Sequence, residues 1–63
     1  MKTKGVYFIP TADKIIIITK CEYYEDIFRP PFSIVTWIQD DREVEKVLIT
    51  HDQFKRFKRI GDL

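Results

Sequence analysis

At 63 residues, with 44% apolar and 14% aromatic content, the chain makes one small domain (residues 1–63) and is not a disordered tail. A core this small, worth a net of about 3–5 kcal/mol, spares few residues for pocket walls, which argues against an enzyme. The longest apolar run is far below the roughly 20 residues of a membrane span, and the net charge of +1 is unlike the strong basicity of dedicated nucleic-acid binders.

The start, "MKTKG", carries two lysines but no apolar h-region follows, so no signal peptide is expected. "GVYFI" (Gly5 to Ile9) is β-branched and aromatic and predicts a first strand. Pro10 and Asp13 of "PTAD" are turn residues. "KIIIITKCEYY" (Lys14 to Tyr24) predicts a second, longer strand, hairpinned to the first through a four-residue loop. "EDIFRPPF" (Glu25 to Phe32) is a loop, stiffened and kept from helix by Pro30 and Pro31. "SIVTWIQ" (Ser33 to Gln39) predicts the third strand, "DDRE" (Asp40 to Glu43) a tight turn, and "VEKVLIT" (Val44 to Thr50) the fourth strand.

After the strands, Thr50 and Gln53 fit a capping box, and Asp52 suits the positive end of a helix dipole. A helix from His51 to about Lys58, or a single 3₁₀ turn, would put Phe54 and Phe57 on one face and the cations mostly on the other. Gly61 stops it or permits a last short strand around residues 59–63. The expected fold is α+β, mainly β: a four-stranded antiparallel meander with a short C-terminal helix. The alternative is a small five-stranded barrel of Src-homology-3 type, by analogy of element order. In the second strand Ile16 and Ile18 oppose Ile15 and Ile17; in the third, Ile34 and Ile38 oppose Val35 and Trp37. With apolar residues on both sides, both faces are expected to be partly covered, by a helix, by barrel closure or by a second copy.

Few constellations carry chemistry. His51 and Cys21 are the only residues of their kinds, too few for a zinc site, and nothing in the sequence brings them together as a nucleophilic pair. A lone cysteine excludes an internal disulfide and fits a reducing cytoplasm. Asp40 and Asp41 are turn residues, Glu43 and Glu45 share a strand face, and neither a calcium loop nor a glycine-rich phosphate loop is present. No metal, cofactor or catalytic residue is expected.

Charge is unevenly placed. Residues 1–21 carry four lysines against Asp13, a net +3. Residues 22–45 carry seven acids against Arg29 and Arg42, a net −5, and residues 46–63 return to +3. "FKRFKR" from Phe54 is the strongest nucleic-acid signal, with Lys55, Arg56, Lys58 and Arg59 available to phosphates. The competing reading makes these cations the wet side of a terminal helix.

"EYYEDIFRPPF" (Glu22 to Phe32) is the richer stretch. Tyr23 and Tyr24 alternate to opposite faces, so at least one is exposed. Ile27, Phe28 and Phe32 cannot all enter so small a core. Aromatics rimmed by charge are the usual composition of a protein-binding patch, unless Phe28 and Phe32 fold back as a lid over the sheet. The candidate partner-binding set is Tyr23, Tyr24, Glu25, Asp26, Phe28, Arg29, Phe32 and Trp37, the last expected beside the loop on the adjacent strand.

In its run "GVYFIPTADKIIIIT" and its ending "RIGDL", the chain resembles small uncharacterised β-rich proteins of tailed bacteriophages. The resemblance covers most of the chain as a pattern of elements and carries no residue roles. It implies an intracellular protein that binds and modulates a host or defence protein and catalyses nothing. The leading expectation is therefore a cytoplasmic interaction module, with nucleic-acid binding through the basic C-terminal segment as the alternative. No membrane partner is expected, and a homodimer is a third reading.

Overall fold

The computed structural model describes residues 4–62. Five strands form one antiparallel sheet in the order β4-β3-β2-β1-β5: β1 (Gly5–Ile9), β2 (Lys14–Tyr24), β3 (Phe32–Gln39), β4 (Arg42–Thr50) and β5 (Lys58–Gly61). One turn of helix, α1 (His51–Phe54), joins β4 to β5. The expected meander of four strands is present, but a fifth strand adds to β1, so the sheet has five. The order of elements is that of the barrel alternative, yet the sheet stays open, with β4 and β5 as its edges.

The turns follow from their residues. Ile9 pairs with Lys14 around the four-residue loop, and Asp13 takes a left-handed conformation (φ 53°). Gln39 pairs with Arg42, leaving Asp40 and Asp41 as a two-residue turn with φ of 51° and 62°. That is the type I′ geometry whose twist matches antiparallel strands, and aspartate tolerates it. Lys14 and Asp40 pair at 3.3 Å and tie the two turns together.

Thr50 caps α1 as its spacing predicts. Its hydroxyl accepts from the Gln53 N–H at 3.2 Å, and the Gln53 side chain accepts from the Thr50 N–H at 3.1 Å. The helix ends at Phe54, short of the expected Lys58. Lys58 instead pairs with Phe8 in the sheet ladder, a tertiary contact that overrides the local helical pattern. Leu63, the last residue of the expected closing strand, lies outside the described residues.

Bulges decide which face each side chain takes. In β2 the partners jump from Ile18↔Trp37 to Lys20↔Thr36, so Thr19 is an extra residue. In β4 they jump from Val47↔Val35 to Val44↔Trp37, with Lys46 left-handed at φ 55°. Each bulge flips the alternation beyond it. The inner face therefore gathers Tyr7, Ile9, Ile16, Ile18, Val35 and Ile49, all buried, and the chain through α1 crosses it with buried Phe54. The Phe54 ring meets Tyr7 edge-on at 5.6 Å and Phe57 at 5.6 Å.

Tyr7 is fully buried and its hydroxyl accepts from Arg59 Nη1 at 2.9 Å, while Arg59 Nη2 holds Asp62 at 2.7 Å. A side chain at position 5 would place its Cβ 2.8 Å from that guanidinium, so glycine leaves Arg59 its space. Of the covers expected for the second face, neither the helix nor barrel closure reaches the outer one. This outer face carries Phe8, Ile15, Ile17, Ile34, Ile38 and Leu48, and no described element covers it; Ile15 and Leu48 are 57% and 56% exposed. The crossover supplies one apolar layer for one face only, because α1 is a single turn.

Candidate functional site

The sequence between β2 and β3 builds a projecting loop. Asp26 organises it. Its Oδ1 accepts the backbone N–H groups of Phe28 at 2.8 Å and Arg29 at 3.1 Å, and its Oδ2 pairs with Arg29 Nε at 3.1 Å. This is an Asx turn reinforced by an ion pair, followed at once by the two stiff prolines. At its tip Ile27 is 91% exposed and Phe28 87%. Neither folds back over the sheet, so the lid reading does not hold for Phe28. Below the tip, the Pro31 carbonyl accepts the His51 N–H at 2.9 Å and anchors the loop to the start of α1.

Tyr24 and Phe32 face each other across the β2–β3 ladder and stack at 5.3 Å, with rings 17° from parallel. The guanidinium of Arg29 lies 5.5 Å above the Phe32 ring. Tyr24 donates to Glu22 at 2.9 Å and Tyr23 to Glu25 at 3.3 Å. These bonds raise both phenols above their ordinary range: for Tyr24 the bond to Glu22 is the main cause, for Tyr23 burial comes first and Glu25 second. Both tyrosines are partly exposed, on opposite faces as their adjacency requires. The Thr19 bulge sends Tyr24 to the outer face with Phe32, where unbroken alternation from Ile18 would have sent it inward.

Seven of the eight expected residues thus gather in and under one loop: Tyr23, Tyr24, Glu25, Asp26, Phe28, Arg29 and Phe32. Trp37 does not join them. It lies five residues further along β3, on the inner face opposite Ile18 and Val44. There it lines an apolar groove of about 600 Å³ between the β1–β2 loop and the end of the crossover, with Phe57 and Arg56 on the far wall. Its indole N–H is buried and finds no acceptor among the described residues. Sequence reasoning also missed Ile27 as a contact residue, although its place between Asp26 and the prolines leaves it nowhere to go but outward.

The four C-terminal cations are dispersed. Lys55 pairs with Asp52 at 3.3 Å and Arg59 with Asp62 and Tyr7. Arg56 borders the groove, and Lys58 and Arg59 are neighbours on one strand with opposite faces. Among the described residues no three histidine, cysteine, aspartate or glutamate side chains gather as a metal site. Cys21 sits half-buried on the inner face; burial pushes its thiol pKa up, and the hydrogen bond with Ser33 offsets part of that. Glu43 is raised above the usual carboxylate range, chiefly by its hydrogen bond with Glu45 and then by that neighbour's charge, with Lys20 pulling the other way.

No helix among the described residues is long and apolar enough to cross a membrane. Comparison with models of known protein families, with curated protein sequences and with solved structures returns no match to this chain.

Proposed function

We propose that this chain is a small protein-binding module that inhibits or modulates a larger bacterial or phage protein in the cytoplasm. The observation that carries the reading is the pair Ile27 and Phe28, about nine-tenths exposed on a loop held in shape by Asp26. Two large apolar side chains in water are unfavourable for a free monomer and favourable for a complex. Their full burial against a partner is worth about 1.5–3 kcal/mol each. Because the loop is already ordered, binding costs little further chain entropy. The stacked Tyr24 and Phe32 support the tip from below, and Glu25 and Asp26 beside it make the rim acidic, which favours and steers a basic target.

The resemblance to small phage proteins supports the modulator role. The dispersal of Lys55, Arg56, Lys58 and Arg59 gives the nucleic-acid alternative no comparable support. The test is affinity capture from bacterial lysate, with and without nuclease, using the wild-type chain and Ile27→Ala/Phe28→Ala. One stoichiometric protein captured by the wild type and lost by the variant supports the module. Capture that is equal for both, or that disappears with nuclease, contradicts it.

A further inference from the structure

The outer sheet face has an internal symmetry that its neighbours do not explain. On β2, the central strand, Lys20 and Glu22 are consecutive outward positions, opposite Thr36 and Ile34 of β3. Toward the hairpin turns lies one apolar patch, with Ile17 and Ile38 paired at its centre and Val6 beside them. Toward the projecting loop lies a second, with Tyr24 and Phe32 paired at its centre. A basic and an acidic residue thus sit on either side of the midpoint of β2, each backed by an apolar patch.

We infer that this face binds a second copy of the chain, through a two-fold axis that crosses β2 at right angles between Lys20 and Glu22. Reversing the strand direction in the second copy lays Lys20 over Glu22 of that copy, and Glu22 over its Lys20. The same operation brings Ile17 and Ile38 over Tyr24 and Phe32 of the second copy, and the reverse. The interface is isologous and uses one patch twice. Lys20 makes no ion pair within the chain among the described residues, although Glu43, on the same face opposite Ile38, feels its charge. Glu22 spends one oxygen on the Tyr24 hydroxyl and keeps the other.

The size sets the affinity. With strands about 4.8 Å apart and about 3.3 Å rise per residue, the roughly eight ladder positions of β2, β3 and β4 that overlap in the pair cover about 380 Å² on each copy. Both copies together lose about 760 Å², below the roughly 1,000 Å² of a stable specific interface, so the dimer is weak and forms toward millimolar concentration. An unrelated partner could cover apolar residues, but it would not call for opposite charges placed symmetrically about the middle of the central strand. The arrangement sends the two projecting loops to opposite ends, leaving Ile27 and Phe28 of each copy free.

Sedimentation equilibrium of the full chain from micromolar to millimolar concentration tests this. A monomer–dimer equilibrium is expected. Lys20→Glu and Glu22→Lys should each weaken it at least ten-fold, with the circular dichroism spectrum unchanged because both residues are exposed. Mixing the two variants restores opposite charges at both contacts and should recover a heterodimer, as should the double reversal Lys20→Glu/Glu22→Lys within one chain. A monomer at every concentration, a dimer indifferent to either reversal, or a mixture that does not recover would each overturn the inference.

Discussion

The carboxylate of Asp26 holds the backbone of Phe28 from two residues away, at 2.8 Å, and so fixes the direction in which the most prominent aromatic of the molecule projects. Asp26→Ala removes that bond together with those to the N–H and side chain of Arg29. All three are exposed, so the loss of global stability should stay below about 1 kcal/mol. Partner affinity should fall more than stability, because a loosened tip must be ordered on binding. Calorimetry of the complex beside urea unfolding of the free chain separates the two effects. Equal affinity in the variant would mean that the turn does not preorganise the contact.

Phe54 is the one core residue contributed by α1, 4% exposed against Tyr7 and Phe57. Phe54→Ala should cost about 3–5 kcal/mol. That equals the whole stability of about 3–5 kcal/mol expected for so small a domain. The variant should be largely unfolded in dilute buffer at room temperature by circular dichroism. A cooperative transition close to that of the wild type would show that the sheet is held by something other than the crossover.

Trp37 gives the opposite expectation. Its buried indole N–H lacks an acceptor among the described residues, a defect worth about 1–3 kcal/mol. Trp37→Phe removes the defect while giving up part of the ring's packing against the core, so the two effects nearly offset. Stability should change by less than about 1 kcal/mol. Denaturant midpoints read by circular dichroism check this. A loss above about 3 kcal/mol, the range of a large cavity, would show that the N–H is satisfied in solution.

Burial holds the Cys21 thiol above its ordinary value near 9.0. The folded chain therefore keeps this proton at a pH where the unfolded chain has released it. Stability falls as pH rises from the unfolded value toward the folded one, and is unaffected by this group below it. Alkylation of Cys21 should be slower than that of a free thiol, with a midpoint shifted to higher pH. A midpoint at or below that of the free thiol would contradict the burial of this strand position.

Much of this was legible in the chain. Strand-forming residues, turn aspartates and the Thr50–Gln53 spacing locate β1 to β4 and the helix start, because each is a local signal. The bulges at Thr19 and Lys46 were not, because a bulge is a property of two strands in register. Missing them turns Tyr24 to the wrong face. It also hides that the apolar residues of the outer face form a surface without a cover. Trp37 was misplaced for a simpler reason: closeness in sequence to a loop says little along a strand rising about 3.3 Å per residue. The projecting loop itself was readable from its aromatics and prolines, since no core of this size has room for them.

The central claim is that Phe28 touches a protein partner. A photo-reactive amino acid at position 28, with the same group at exposed Thr11 as a control, tests it directly in living bacteria. Position 28 should crosslink to one defined protein, and position 11, at the opposite end of the sheet, should not. Crosslinks of equal pattern from both positions, or none from position 28, would contradict the assignment of the loop as the binding site.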